Sequence, residues 1–236
     1  MQVAIVKYNA GNIYSVVNAL KRLGVEPLLT DDAEELRKAD RVIFPGQGEA
    51  RGAMEYLRER HLDEVIRSLR QPVLGICIGQ QLLCRHSEEG DTACIGIFDA
   101  DVRRFRPERH EDKVPCMGWG PLRLPHEEGT GEASPLFKGL LPTSTHEKGT
   151  GEASPLFKGL FPTSPHEEGT EERLPYVYFV HSYYVPLCKH TAAVADYIVP
   201  YSAALHKDNF YACQFHPEKS GHVGERIIRN FLELSE

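Results

Sequence analysis

The sequence predicts an α/β fold with a central, mostly parallel sheet, helices on both faces and additional antiparallel strands in the C-terminal half. Short apolar runs, such as residues 2–6 and 41–44, alternate with helical stretches, such as 12–23, whose apolar residues recur every three or four positions. Strands that alternate with helices form βαβ units, which pair in parallel and are covered on both faces. A chain of 236 residues suits one large α/β domain or two small ones, and it can bury its own core. Of these two possibilities, we expect 1–236 to be a single domain.

The N-terminal half supplies the predicted parallel strands. Residues 2–6 are expected to be the first and central strand, and Gly24 ends the helix that follows it. The further elements expected in this half are strand 25–29, a short charged helix opened by Asp31 and Asp32, strand 41–44, helices 50–60 and 62–69, strand 72–76 and a helix beginning at 80.

The C-terminal half contains more strand-like runs and fewer helices. Residues 113–120 carry the one tryptophan of the chain and are expected to form a compact turn. The strands expected here are 97–105, which we take as antiparallel, 176–185, 192–199, 202–206 and 210–215, followed by an amphipathic helix at 223–234.

Composition argues against several classes of function. The net charge of −7 disfavours a general nucleic-acid binder, and without a run of about 18 apolar residues no membrane-spanning helix is expected. The first residues show no signal-peptide pattern. The six cysteines show no Cys-x-x-Cys pair and no metal-ligand spacing, which indicates reduced thiols in a cytoplasmic protein without a metal site. No cofactor is expected.

Residues 72–84 hold the strongest functional signal. An apolar, strand-like run leads into a Gly-x-Cys-x-Gly pattern centred on Cys77, and a helical stretch follows. This is the pattern of a nucleophile elbow, a turn too sharp for larger neighbouring residues. At the start of a helix, the helix dipole also favours a thiolate over a thiol. The alternative is a buried structural cysteine between two chance glycines.

A glycine-rich loop follows the predicted strand 41–44. Its residues are Pro45, Gly46, Gln47 and Gly48, and a helical stretch comes next. A loop of this kind at the carboxyl end of a strand can present backbone N–H groups to an anion. Because the next strand leads to Cys77, we predict that Gly46, Gln47 and Gly48 contribute to an oxyanion hole. An ordinary turn is the alternative.

A histidine and a glutamate follow the last predicted strand. His216 and Glu218 are two residues apart, and in an extended segment such residues project to the same side. A histidine that takes a proton from a thiol needs a partner that holds its tautomer, and a carboxylate at this spacing can do so. The alternative is a surface His-Pro turn with a solvated glutamate.

A tandem repeat interrupts the C-terminal half. Residues 126–145 recur at 146–165 with 17 of 20 positions identical, and a third start occupies 166–170. A solenoid needs at least three stackable units, so we interpret 126–170 as a duplicated surface insert in which one copy docks and the other loops out. The alternatives are a partner-binding insert and a metal site of His126, His146 and His166, which would lack an acidic cage.

Together, the glycine loop, the cysteine elbow and the distal His-x-Glu resemble a class I glutamine amidotransferase, which implies a flavodoxin-like fold and a Cys-His-Glu triad. Within that class the chain resembles the glutaminase subunit of imidazole glycerol phosphate synthase. The segments that carry this resemblance are 8–16, 45–48, 75–83, 113–119, 178–185 and 214–221. The chain departs from the family pattern at Gln47, Cys116 and Gly120, where valine, histidine and asparagine are usual. These departures concern the loop and the subunit interface rather than the triad.

The resemblance implies that glutamine is hydrolysed to glutamate and ammonia. In this reaction Cys77 is the nucleophile, His216 carries the proton and Glu218 orients His216, while Ile78 adds an N–H group to the oxyanion loop. The residues that the resemblance places at the amino and carboxylate groups of L-glutamine are Gln81, His181, Ser182 and Tyr183.

The resemblance also implies a partner. A separate (βα)₈-barrel cyclase subunit would use the ammonia to form imidazole glycerol phosphate and aminoimidazole carboxamide ribotide in histidine biosynthesis. Asn12, Trp119 and Lys219 match positions expected at the subunit contact. Each also has a simpler explanation: Asn12 could be a helix N-cap, Trp119 could be a packed tryptophan, and Lys219 could be a solvated lysine.

Three alternative functions stay open at this point. The chain could be the glutaminase subunit of another class I amidotransferase, such as one that serves anthranilate synthesis. It could be a cysteine-elbow hydrolase that acts alone. It could also be a non-catalytic binding subunit that the duplication has silenced.

Overall fold

A computed structural model of the chain describes residues 1–8, 13–46, 48–124, 134–140 and 174–234. Short 3-10 turns lie at Pro135–Phe137 and Pro217–Lys219. The helices and strands follow in chain order as β1 (Val3–Val6), α1 (Ile13–Arg22), β2 (Leu28–Thr30), α2 (Ala33–Lys38), β3 (Arg41–Phe44), α3 (Ala50–Glu59), α4 (Leu62–Ser68), β4 (Val73–Ile76), α5 (Ile78–Leu82), β5 (His86–Ser87), β6 (Thr92–Ala93), β7 (Asp101–Arg104), β8 (Cys116–Pro121), β9 (Tyr176–His181), β10 (Tyr183–Tyr184), β11 (Thr191–Tyr197), β12 (Val199–Lys207), β13 (Phe210–Cys213) and α6 (Gly221–Leu232).

Seven strands form one sheet in the order β11-β12-β13-β4-β3-β1-β2. The strands from β13 to β2 pair in parallel, and β11 and β12 extend the sheet in antiparallel pairing. The predicted α/β fold with a mostly parallel sheet is thereby confirmed. The expectation that β1 is central is wrong, because β4 takes the middle position. Chain order does not determine strand order, since a βαβ crossover can add the next strand on either side.

Helices cover both faces of this sheet and create two hydrophobic cores. In β1 the side chains alternate, so Val3 and Ile5 join the core beneath α1 and α6, while Ala4 and Val6 join the core beneath α2 to α5. All four are buried, as expected for a strand covered on both faces. Within the described residues, no helix has the length and hydropathy required to cross a bilayer.

Four predicted segments differ from the observed structure. The predicted strand 176–185 forms two strands, β9 and β10, which pair with β8 and β7 respectively. The second strand begins at Leu28 rather than at 25, because Pro27 has no N–H group for the ladder. Of the predicted strand 97–105, only β7 forms, and it pairs antiparallel with β10 but parallel with β5. The segment 113–120, expected to be a turn, contains β8, which pairs antiparallel with β9 along its whole length. The two glycines of β8 lower the strand propensity of the sequence, but they keep the backbone N–H and C=O groups that form the hydrogen bonds with β9.

Residues 134–140 of the repeat pack into the core. Leu136 and Phe137 are 0% and 4% exposed. Nδ2 of Asn230, in α6, donates to the carbonyl oxygens of Leu136 and Lys138, at 2.9 Å in each case. This part of the first copy therefore docks against α6. The expectation that the other copy loops out concerns residues 146–165, which lie outside the described residues.

Candidate active site

The Cys77 elbow lies at the centre of the large sheet. β4 ends at Ile76, Cys77 has φ +53° and ψ −108°, and α5 begins at Ile78. This is the strained strand–turn–helix geometry that the sequence pattern predicts. The backbone N–H of Cys77 donates to the carbonyl oxygen of Cys213 at 2.7 Å, which ties the elbow to β13. Because α5 has only five residues, its dipole contributes less than the sequence pattern suggests.

Two glycines let the elbow approach the loop that follows β3. A Cβ on Gly79 would lie 2.1 Å from the carbonyl oxygen of Phe44, and a Cβ on Gly46 would lie 2.6 Å from the backbone nitrogen of Ile78. A side chain at either position would push the two backbones apart, so the close approach requires glycine. Gln47, predicted for the oxyanion hole, lies outside the described residues.

A buried tyrosine holds the start of the same loop. The hydroxyl of Tyr8 donates to the carbonyl oxygen of Pro45, and its ring packs against Phe44 with the centroids 5.3 Å apart. Burial, together with the nearby Cys77, raises the pKa of Tyr8 above its usual value. The hydroxyl therefore stays protonated and remains a hydrogen-bond donor at neutral pH. No sequence pattern pointed to this contact.

His216 and Glu218 form a buried pair after β13. Nδ1 of His216 lies 2.9 Å from Oε1 of Glu218, and each side chain is 2% exposed. The pairing agrees with the expectation, but the reason given for it is wrong. Glu218 lies in the 3-10 turn Pro217–Lys219 rather than in an extended segment. Pro217 favours this turn because its fixed φ suits the first helical position, and the turn brings the carboxylate back to the ring.

The surroundings of His216 favour its protonated form. Burial alone lowers the pKa of His216, but its interactions with Cys77 and Glu218 outweigh burial and raise the pKa to about 9. Nε2 of the ring is buried and makes no well-aligned hydrogen bond to any described residue, which leaves it available to exchange a proton with the sulfur. An imidazolium beside a cysteine is the arrangement of a thiolate–imidazolium pair.

The raised pKa predicts how stability depends on pH. An unfolded histidine has a pKa of about 6.5, so protonated His216 stabilises the folded state up to about pH 6.5, and this contribution is lost as the pH rises to about 9. We expect the difference in free energy of unfolding between the wild type and His216→Gln to shrink over this range in urea denaturation. A difference that stays constant from about pH 6 to about pH 10 would contradict the raised pKa.

A cavity of about 410 Å³ opens at the elbow, a size that suits a small polar substrate. Of the residues predicted for the site, those that line the cavity are Gly48, Cys77, Ile78, Gln81, His181, Ser182, Tyr183 and His216. Gly46 packs against Ile78, and Glu218 binds His216 without lining the cavity itself. Glu89, Pro115 and Val180 complete the wall.

His181 is a neutral ring at the edge of this cavity. Its Nδ1 lies 2.8 Å from the carbonyl oxygen of Tyr183, and since a carbonyl only accepts, Nδ1 is the donor. Burial lowers the pKa of His181 to about 4; the Tyr183 carbonyl opposes this shift and His216 adds to it. The ring also packs against Phe105 and Tyr201, with centroid distances of 5.4 and 5.3 Å. His181 is therefore not suited to carry protons at neutral pH.

Two polar residues of the site were not predicted. Glu89 lines the cavity and accepts a hydrogen bond from the backbone N–H of Ala50 at 2.8 Å, and burial raises its pKa. Gln214 is fully buried, and its amide nitrogen lies 3.7 Å from Sγ of Cys77. Gln214 precedes His216 by two positions, a spacing that could have indicated it. No short-range pattern indicates Glu89, because it reaches the cavity through contacts between distant segments.

Two of the three residues predicted for a subunit contact, Trp119 and Lys219, lie on or near the β8–β9 ribbon. Trp119 is 49% exposed in β8, and its ring meets that of Tyr178 in β9 edge-on with the centroids 6.0 Å apart. Lys219 lies in the 3-10 turn that carries Glu218. Asn12 lies outside the described residues.

Two departures from the family pattern also lie in β8. Cys116 is buried and pairs with His181 across the ribbon. A Cβ on Gly120 would lie 3.2 Å from the ring of Phe179, so an asparagine here would require that ring to shift. Both positions therefore concern packing within the ribbon rather than Cys77 or His216.

The family model and the related sequences that match this chain all indicate the same family. The family model described as glutamine amidotransferase class-I matches residues 4–234. The imidazole glycerol phosphate synthase subunit HisH of Bacteroides thetaiotaomicron is 55% identical over 234 residues, which cover 99% of this chain and 100% of the relative. The HisH subunit of Idiomarina loihiensis is 38% identical over 235 residues, with 100% and 99% covered.

Solved structures agree on the fold. A glutamine amidotransferase structure has a TM-score of 0.60 at 19% identity, with 98% of this chain and 97% of that chain covered. A glutamine amidotransferase from Thermotoga maritima has a TM-score of 0.54 at 15% identity, with 99% and 83% covered. Since the family model and the HisH relatives match almost the whole chain, this protein belongs to the class I glutamine amidotransferases and, within them, to the HisH subunits of imidazole glycerol phosphate synthase.

Proposed function

We propose that this chain hydrolyses L-glutamine to glutamate and ammonia in the cavity at the elbow. The observation that carries the proposal is that Cys77, on its strained turn, shares one cavity with His216, whose ring is paired with the buried carboxylate of Glu218. A sulfur nucleophile, a proton carrier and a carboxylate that orients the carrier are the groups that acyl transfer from an amide requires. Membership in the glutamine amidotransferases supports glutamine as the amide.

The cavity wall offers groups for the polar end of glutamine. We propose that the carboxylate of Glu89 binds the α-ammonium group and that the backbone of Ser182 and Tyr183 binds the α-carboxylate. Nε2 of Gln81 donates to the carbonyl oxygen of Tyr183 at 3.2 Å, and His181 donates to the same oxygen. Gln81 and His181 are therefore proposed to hold this backbone in place.

The proposed reaction begins when the sulfur of Cys77 attacks the carboxamide carbon. The N–H of Ile78 and one from the loop 46–48 stabilise the oxyanion, and losing one such donor costs about 3 kcal/mol in related enzymes. Protonated His216 gives its proton to the nitrogen, so ammonia leaves and a γ-glutamyl thioester remains. Water then attacks the thioester while His216 accepts a proton from it. Glutamate leaves, and the thiolate–imidazolium pair is restored.

We propose that the partner subunit docks on the exposed face of the β8–β9 ribbon. Met117, Trp119 and Tyr176 point outward from the ribbon and are 66%, 49% and 50% exposed. Large exposed hydrophobic groups on one face are typical of a protein interface. The ribbon also adjoins the site, because the backbone N–H of His216 donates to the carbonyl oxygen of Tyr178 at 2.9 Å.

The relatives are named as subunits of imidazole glycerol phosphate synthase, and we propose that the partner is its (βα)₈-barrel cyclase. Ammonia released beside the ribbon would enter the cyclase and be used to form imidazole glycerol phosphate and aminoimidazole carboxamide ribotide in histidine biosynthesis. Asn12 and Lys219 are proposed as further contacts. We also propose a cytoplasmic protein with one domain, 1–236, in which 126–170 is a duplicated surface insert.

The test measures glutamate release from L-glutamine by the purified chain, alone and with the cyclase plus its ribonucleotide substrate. We expect turnover only in the complex, and none with Cys77→Ala. The cyclase concentration that gives half-maximal turnover should rise at least about tenfold in Trp119→Ala, because exposed aromatic residues often dominate the binding energy of interfaces. Leu187→Ala, at an equally exposed position outside the ribbon, is the matched control and should leave that concentration unchanged.

The other outcomes correspond to the alternative functions. Equal turnover without the cyclase would support a hydrolase that acts alone. A complex that forms without turnover would support a silenced binding subunit. Complementation of a tryptophan auxotroph, rather than a histidine auxotroph, would support a subunit of another amidotransferase.

A further inference from the structure

We propose that Gln214 is a catalytic residue, whose side-chain amide donates a hydrogen bond to Sγ of Cys77 and stabilises the thiolate. Nε2 of Gln214 lies 3.7 Å from Sγ, and the side chain is fully buried. The inference rests on the proposed glutaminase function, because it concerns the nucleophile of that reaction.

The backbone around Gln214 fixes the amide against the elbow. The N–H of Gln214 donates to the carbonyl oxygen of Ala203 at 2.8 Å, and the carbonyl of the preceding residue, Cys213, accepts from the N–H of Cys77 at 2.7 Å. The segment that carries the amide and the segment that carries the sulfur are therefore hydrogen-bonded to each other one residue away from the contact between Gln214 and Cys77. The backbone thus holds the two groups in place before any substrate binds.

The neighbouring hydrogen bonds decide which end of the amide faces the sulfur. The backbone carbonyl of Tyr183 can only accept, so the group of Gln81 that lies 3.2 Å from it must be the NH₂ group. The same NH₂ group lies 3.0 Å from Gln214, which therefore presents its oxygen to Gln81. The NH₂ group of Gln214 is left to face Cys77, as a donor.

A donor at this position distinguishes the two protonation states of the sulfur. The thiol can donate to the carbonyl oxygen of Val180, 3.9 Å away, whereas the thiolate can only accept. A hydrogen bond to the charged form favours that form, and it is stronger than one to a neutral acceptor. Gln214 therefore acts in the same direction as protonated His216, and it does so without carrying a charge.

The titratable groups around the sulfur come from several elements. His216 follows β13, Cys213 ends β13 and Tyr8 follows β1, and each interacts electrostatically with Cys77. Glu218 lies behind His216. Glu89 and His181 line the same cavity as the sulfur. Replacing Gln214 leaves all of these titratable groups in place, so a change in the reactivity of Cys77 would report the lost donor.

The test compares Gln214→Met with Gln80→Met. Gln80 is also fully buried, but its amide donates to the carbonyl oxygen of Ser202 at 3.1 Å and does not contact the sulfur. The first measurement is the rate at which iodoacetamide alkylates Cys77 as a function of pH, followed on the Cys77 peptide by mass spectrometry. We expect Gln214→Met to move the midpoint of this profile upward by about one pH unit, which corresponds to a tenfold smaller thiolate fraction at pH values well below the midpoint. Gln80→Met should leave the midpoint unchanged.

The second measurement is steady-state glutaminase activity of the complex with the cyclase. We expect Gln214→Met to lower kcat by about 10- to 100-fold while KM for glutamine changes less than about twofold, because the donor acts on the nucleophile and not on substrate binding. If Gln214→Met lacks a cooperative thermal transition, Gln214→Asn replaces it. This variant keeps an amide but withdraws it by one methylene, so the same two shifts are expected.

An alkylation profile of the folded variant that coincides with those of the wild type and Gln80→Met would overturn the proposal. So would a rise in KM without a fall in kcat. The alkylation measurement needs neither glutamine nor the cyclase. It therefore separates a failure of this inference from a failure of the glutaminase function, which would appear as a wild-type complex that releases no glutamate.

Discussion

Replacing Glu218 with glutamine is expected to lower kcat for glutamine hydrolysis by about 10³- to 10⁴-fold, the size of effect seen when the corresponding carboxylate of a hydrolytic triad becomes an amide. Oε1 of Glu218 lies 2.9 Å from Nδ1 of His216, and both groups are excluded from solvent. An amide has nearly the same shape but no charge, so it stabilises the imidazolium less. If the NH₂ group of the new glutamine faces Nδ1 of His216, it donates to Nδ1 and places the ring proton on Nε2. Nε2 must be unprotonated to accept a proton during the reaction, so this tautomer is the wrong one.

The measurement is steady-state glutamate release by the complex with the proposed cyclase partner. We expect KM to stay within about threefold, because Glu218 does not line the cavity. Glu225→Gln is the matched control. This glutamate lies half-exposed in α6, and within the described residues its ion pair is with the side chain of Arg229. A kcat for Glu218→Gln within about tenfold of the wild type would remove Glu218 from the proposed triad.

The geometry around Cys77 could be predicted because its determinants are local. Glycines flank the cysteine within five residues, and the approach of Gly79 to Phe44 explains why one of them is required. For His216 and Glu218 the spacing predicted the pair but not the turn that forms it. A separation of two residues is compatible with an extended segment and with a 3-10 turn, and only the structure distinguishes them.

Features that depend on packing between distant segments could not be predicted in the same way. Glu89 reaches the cavity because its carboxylate accepts the backbone N–H of Ala50, a contact that spacing along the chain does not encode. The position of β4 at the centre of the sheet depends on the direction of each crossover. β8 was missed because Gly118 and Gly120 lower strand propensity, although its backbone pairs fully with β9.

The repeated segment leads to a second large expected effect, this time on stability. Phe137 and Leu136 are buried against α6 and are held there by Asn230. In a chain that lacks residues 146–165 and keeps one copy, we expect Phe137→Ala to lower the free energy of unfolding by about 3–5 kcal/mol, the usual cost of removing a buried phenylalanine. That loss is a large part of the stability of a typical domain, and a urea denaturation curve would measure it.

In the complete chain the same substitution is expected to cost much less. Residues 154–160 repeat residues 134–140 letter for letter, so a chain with Phe137→Ala keeps one intact copy that fits the same site. Exchanging the copies lengthens one connection and shortens the other by the same number of residues, so the changes in loop-closure entropy nearly cancel. Phe157→Ala alone should leave the free energy of unfolding unchanged. The double variant, with Phe137→Ala and Phe157→Ala, should lose as much stability as Phe137→Ala does in the chain with one copy. If Phe137→Ala destabilises both chains equally, the copies are not interchangeable, and only the first copy can dock.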